Sequence, residues 1–117
     1  MIKIKNQLGT INISKAVLTI LAGDAATNCF GVKGMALRSV SDGLVHLLKM
    51  ESMGKGVRIV NNDDGSISVS LHIAVDQGVN IPVVCSSIID EVRYKLSAAA
   101  GVNVKAVDIF VVTMMIN

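Results

Sequence analysis

The chain has 117 residues, of which 51% are hydrophobic, 3% aromatic and 17% charged, and its formal net charge is +2. This length sets one domain with a sizeable core of aliphatic side chains, and so small a net charge supplies no general attraction for nucleic acid. Charged residues fall below the usual level of about 25%, so a single copy is expected to leave apolar surface uncovered, which favours association with further copies.

The charge is spread unevenly, at +5 over residues 1–58 and −3 over residues 59–117, but without blocks of like sign, as ordinary surface scatter gives. Cys29 and Cys85 have no second cysteine at metal-type spacing and read as buried thiols. The N-terminus has no continuous apolar segment of the kind a secretion signal needs. The longest late apolar run, residues 109–116, is far shorter than the roughly 20 residues that span a bilayer. The expectation is a soluble, cytoplasmic chain with no direct membrane insertion.

In chain order, residues 8–14 read as a short strand with Ile11 and Ile13 on one face and Thr10 and Asn12 on the other. Ser14 is suited to cap a helix running to about Phe30, with Val17, Ile20, Leu21, Asp24 or Ala25, and Cys29 as its stripe. Small residues along that helix (Ala22, Gly23, Ala25 and Ala26) imply close approach to another element. Gly31 suits the left-handed residue after a helix end, and residues 32–36 read as a short strand. Ser41 then resembles a second cap, for a brief helix carrying Leu44, Val45, Leu47 and Leu48 and fading near Glu51, with an exit loop at Met53-Gly-Lys-Gly.

The clearest geometry follows. Ile67, Val69, Leu71, Ile73 and Val75 alternate with Ser68, Ser70, His72, Ala74 and Asp76, the period-two pattern of a strand with one buried face. Val57, Ile59 and Val60 form a shorter run before Asn61-Asn62-Asp63-Asp64-Gly65, so the two runs make an antiparallel hairpin. Asn80 caps the most regular helix, with Pro82 in its first turn, a stripe of Ile81, Val84, Cys85, Ile88, Ile89, Val92, Leu96 and Ala99, and Gly101 at its end. Glu91 and Lys95 are spaced for an ion pair on its wet side. Residues 104–115 read as a last strand, apolar on both faces from Phe110 onward, as for a central strand or one covered by another subunit. The economical assembly is an α+β two-layer sandwich, a mixed or antiparallel sheet with helices packed on one face.

Catalytic candidates are few. His46 lies among leucines and His72 on the polar face of the best strand, and both read as structural or surface residues. Asp63-Asp64 is explained by turn chemistry, Asp90-Glu91 by a solvated helix face, and Gly54-Lys55-Gly56 by a turn. No catalytic residue, metal ligand or cofactor site is therefore assigned. Gly31-Val-Lys-Gly34 has the Gly-x-x-Gly form of the backbone-clamping loop of KH domains. A nucleic-acid alternative would use Gly31, Lys33, Gly34, Lys55 and Arg58, but Phe30, Tyr94 and Phe110 are too scattered for a stacking platform, so nucleic acid is not the expected partner. Met50, Met53, Met114 and Met115 suit either an adaptable contact surface or core filling. The best contact candidate is the apolar C-terminal run, Val111, Val112, Met114, Met115 and Ile116, whose strand edge could recruit another chain.

These segments resemble the alkaline shock protein family, also called the envelope stress response family of Gram-positive bacteria. The resemblance is carried by Gly9-Thr-Ile-Asn-Ile-Ser, Cys29-Phe-Gly-Val-Lys-Gly-Met-Ala, Ser41-Asp-Gly-Leu-Val-His-Leu-Leu-Lys, Lys55-Gly-Val, Gly78-Val-Asn-Ile-Pro-Val-Val and Gly101-Val-Asn-Val-Lys-Ala-Val-Asp-Ile. It implies a small cytoplasmic α+β protein with no established enzymatic activity, in a family associated with envelope homeostasis and alkaline stress, some of whose members assemble with themselves. It also implies contact with a membrane-anchored protein partner, or with a kinase similar to dihydroxyacetone kinase that acts in fatty-acid phosphorylation, as accessory subunit. There are two departures from the family pattern: Asn28 and Phe30 stand where an acidic residue and a tyrosine are common, and Val112-Thr-Met-Met-Ile stands near where a glycine is usual.

Overall fold

The structure is a computed structural model that describes residues 2–38, 45–47 and 56–116, with the backbone alone at 37, 38 and 45–47. Strand β6 (Ile67–Asp76) is the centre of a five-stranded mixed sheet. Along one edge it pairs antiparallel with two strands in succession. These are β5 (Val57–Asn61), with Val57 opposite Leu71, and β3 (Val32–Arg38), with Met35 opposite Ile73 and Val32 opposite Val75. The other edge is taken over its whole length by β7 (Val104–Met115), which runs parallel from Val104 opposite Ile67 to Met115 opposite Asp76. Backbone bonds fix the sides: His72 N–H donates to Gly56 O at 2.8 Å and Asp76 N–H to Gly31 O at 2.9 Å, whereas Ile67 N–H donates to Asn103 O at 2.9 Å and Gln77 N–H to Met115 O at 3.1 Å.

The alternation read from the sequence decides which face of this sheet is covered. Ile67, Val69, Leu71, Ile73 and Val75 are fully buried beneath two helices, α1 (Lys15–Thr27) and α2 (Ile81–Ala100), while Ser68, Ser70, His72 and Asp76 lie on the opposite face. Both caps form as the sequence requires. Ser14 Oγ accepts from Val17 N–H at 3.3 Å, Asn80 Oδ1 accepts from Val83 N–H at 3.2 Å, and α2 ends at Gly101 with φ +68°. Val84, Ile88, Val92, Leu96 and Ala100 form the buried stripe of α2. The hairpin turn is also as expected, with Asp64 Oδ1 accepting from Ser66 N–H at 3.0 Å and from Ser66 Oγ at 2.6 Å, and Gly65 at φ +87°. Asp63-Asp64 is thereby a turn element.

Four local expectations are corrected. Val45–Leu47 is a strand, β4, paired antiparallel to β3 with Leu37 opposite His46, where a helix was expected. A three-residue segment, Val-His-Leu, carries too little periodicity to separate the two, and pairing with the edge of β3 decides it. The rest of that expected helix, its Ser41 cap and the Met53-Gly-Lys exit loop lie outside the described residues. Helix α1 ends at Thr27 and buries Leu18, Ala22, Ala25 and Ala26, leaving Val17 and Ile20 about half exposed. The small-residue face wins because α1 must fit closely against α2, β3 and β5. Lys95 pairs with Asp24 on α1 at 2.5 Å rather than with Glu91. Finally, β1 (Ile2–Asn6) was not anticipated; it joins β2 (Gly9–Ile13) in a separate antiparallel ribbon with Ile4 opposite Ile11 and Lys5 opposite Thr10.

Candidate functional site

Two sequence elements far apart in the chain meet at one end of the sheet. Gly31 follows the turn after α1 with φ +89°, and a Cβ there would lie 3.0 Å from both Val79 Cγ1 and Val84 Cγ2, so this glycine is needed for conformation and for space. Its carbonyl accepts from Asp76 N–H, and Lys33 Nζ lies 3.6 Å from Asp76 Oδ1. Gly31 thus leads α1 into β3, whose first residues Val32, Lys33 and Gly34 complete the Gly-x-x-Gly pattern within the strand rather than in a loop, and seats it against the Gly78-Val-Asn-Ile-Pro entry to α2. In KH domains the corresponding loop joins two helices, so the likeness is confined to the four-residue pattern. Of the other residues in that alternative, Arg58 is exposed on β5 and Lys55 lies outside the described residues. Beside the junction, Phe30, Asp76, Val79 and Val83 line a shallow cavity of about 440 Å³, with Phe30 almost wholly exposed at its rim. Sequence reasoning missed this cavity because its two sides come from segments separated by most of the sheet.

The face of the sheet without helices carries the second arrangement. His72 on β6 and Phe110 on β7 are directly paired and their rings stack, with centroids 4.8 Å apart and planes 13° from parallel. In the adjoining row, register places Arg58, Ser70 and Asp108 side by side across β5, β6 and β7. Two bulges, with Lys105 and Val112 as the extra residues, interrupt the pairing of β7. Of the C-terminal contact candidates, Met114 and Ile116 are exposed, at 41% and 77%, while Val111, Val112 and Met115 are half-buried. Phe110, on the face without helices, is 51% exposed, whereas Met114 pairs with Val75 and so lies on the opposite face of β7, and Ile116 follows the strand's end.

Titratable groups are dispersed. Lys95 holds the Asp24 carboxyl below its ordinary range by a direct hydrogen bond, against a smaller opposing effect of burial. Burial pushes the Cys29 thiol up, helped by the charge of Glu91, and burial alone raises Cys85. Both thiols are free and half-buried. Among the described residues no group of three or more His, Cys, Asp or Glu side chains could hold a metal ion. His46 is placed by its backbone on β4, and His72 meets an aromatic ring rather than a carboxylate. The exposed groups at this end of the sheet are therefore apolar and aromatic side chains rather than a cluster of titratable ones.

Residues 3–116 match the model of the alkaline shock protein 23 family, described as having a cell envelope-related function, which bears out the resemblance. The Bacillus subtilis (strain 168) protein YloU is 32% identical over 111 residues, 94% of this chain and 92% of its own length. The Streptococcus pyogenes serotype M6 protein Spy1614 is 34% identical over 111 residues, 94% of this chain and 91% of its own. A second B. subtilis protein, YqhY, is 30% identical over 105 residues, 90% of this chain and 76% of its own. No solved structure matches the chain.

Proposed function

The chain belongs to the alkaline shock protein 23 family, with its cell envelope-related function, and on that premise we propose that it is a non-enzymatic interaction module that associates with copies of itself through the C-terminal part of β7. The observation that supports this reading is the exposure of Phe110 and Met114, on opposite faces of a strand that pairs, among the described residues, with β6 alone, and of Ile116 just past its end. Leaving such side chains in water forgoes roughly 25 cal/mol for each Å² that a partner would cover. A strand edge adds backbone donors and acceptors in register, so the same surface offers affinity through hydrogen bonds and selectivity through alternate side chains.

The test is molar mass by light scattering across a dilution series. Association predicts a mass above that of one chain which falls on dilution, and a double substitution, Met114→Lys with Ile116→Asp, shifts the profile toward the single chain while the melting transition is kept. A single-chain mass at every concentration rejects self-association; an unchanged profile in the double variant rejects this surface.

A further inference from the structure

The β1–β2 ribbon is sorted by face. Ile2, Ile4, Ile11 and Ile13 share one side, and Lys3 and Lys5 share the other with Asn12 and Thr10 opposite them. Its apolar side is anchored only at the base: Ile2 is buried and Ile13 packs against the core, Ile4 is half-buried near Gly101, and Ile11 is half exposed. At the tip Leu8 is 99% exposed. That exposure is built in, because Asn6 Oδ1 accepts from both Leu8 N–H at 2.8 Å and Gly9 N–H at 3.0 Å, fixing the turn with its leucine outward. The first acidic residue of the chain is Asp24, so Lys3, Lys5 and Lys15 give the first 23 residues a formal charge of +3. Neither Lys3 nor Lys5 belongs to an ion pair among the described residues.

We propose that this ribbon is a peripheral membrane contact, with Leu8 and Ile11 entering the headgroup and acyl boundary of an anionic lipid surface and Lys3 and Lys5 resting on its phosphates. Apolar tip and basic flank are the two attractions that such contacts combine. The Leu8 and Gly9 amides are already satisfied by Asn6, which lowers the penalty for taking the turn out of water. The same feature disfavours a nucleic-acid backbone as occupant, since those amides are not offered to phosphate and no aromatic ring stands at the tip for a base to stack on. The contact goes beyond self-association and stands independently of it. It departs from the expectation that only a protein partner brings this chain to a membrane, and it requires no crossing: no helix of the described residues is long and apolar enough for that.

Co-sedimentation of the full chain with vesicles of phosphatidylcholine alone, and of phosphatidylcholine mixed with phosphatidylglycerol, tests it. Binding is expected to the mixed vesicles only and to weaken as salt is raised. Leu8→Asp should lower partitioning about tenfold, and Lys3→Glu with Lys5→Glu by at least as much, at about fivefold per lysine, all at an unchanged melting temperature because these side chains are exposed. Binding to neither vesicle, or equally to both, overturns the proposal. So does binding lost in the lysine variant but kept in Leu8→Asp, which is adsorption without insertion. A single-stranded oligonucleotide that displaces the chain from vesicles with no dependence on Leu8 would assign the ribbon to nucleic acid instead.

Discussion

Lys95 on α2 donates to Asp24 on α1 at 2.5 Å, the ion pair that joins the two helices above the sheet. Both side chains are more than a third exposed, so solvent screens the pair, and a double-mutant cycle on Asp24→Asn and Lys95→Met is expected to return a coupling of about 0.2–1 kcal/mol. The Asp24 carboxyl is held below its ordinary value by Lys95, so this contribution is fully present above the unfolded value of about 3.9 and is lost as pH falls through the lower folded value. Urea denaturation of the wild-type chain and Asp24→Asn should therefore differ at pH 7 and converge in strong acid. A difference that persists there would mean the asparagine acts by another route.

Gly31→Ala and Gly65→Ala separate two costs of losing a glycine. Both positions have positive φ, worth about 1–2 kcal/mol against an L side chain. Nothing lies within 4 Å of a Cβ at Gly65, whereas at Gly31 it meets Val79 and the buried Val84. Denaturant midpoints should place Gly31→Ala lower by a further 1 kcal/mol or so. Equal losses would show that the loop moves aside freely.

Leu18 is fully buried and Ile20 is half exposed, two residues along α1. Leu18→Ala is expected to cost about 2–5 kcal/mol, and Ile20→Ala no more than about 0.5 kcal/mol apart from helix propensity. Thermal unfolding of the two variants ranks them directly.

Cys29 and Cys85 both have raised thiol pKa values, chiefly from burial. Thiolate is the reactive form, so alkylation by iodoacetamide at neutral pH should be slower than for free cysteine. Glu91→Gln should quicken Cys29 selectively, because the Glu91 charge contributes to Cys29 and not to Cys85. Mass spectrometry of the labelled peptides reads both rates.

The elements with a long, one-sided pattern were legible in the sequence: β6 by strict alternation, α2 by its stripe and its Asn80 and Gly101 ends, and the hairpin by its turn residues. What failed did so where a local pattern was outweighed by packing. Helix α1 offers a bulky side with Val17 and Ile20 and a small side with Ala22 and Ala26, and only the neighbouring helix and strands favour the small one. Val45–Leu47 is too short to declare a period. The ribbon's first strand does carry a signal, since Ile2, Lys3, Ile4 and Lys5 alternate, but four residues are at the lower limit at which alternation marks a strand. At the candidate site, the exposed Met114 and Ile116 were legible from a run apolar on both faces; the cavity beside Phe30 was not, because no spacing within one segment announces that residues 30 and 79 are neighbours.

Strands β5 and β3 divide one edge of β6 between them, yet they reach it at very different entropic expense. The link from Asn61 to Ile67 is a tight reversal, while Val32 and Val75 enclose roughly 40 residues, and the longer closure costs about 2 kcal/mol more. The sheet consequently has a seam. Detaching β3 leaves β5, β6 and β7 joined with α2 as a block contiguous in sequence over residues 57–115, whereas detaching β6 separates β5, β3 and β7 from one another, since each of the three meets the others through it.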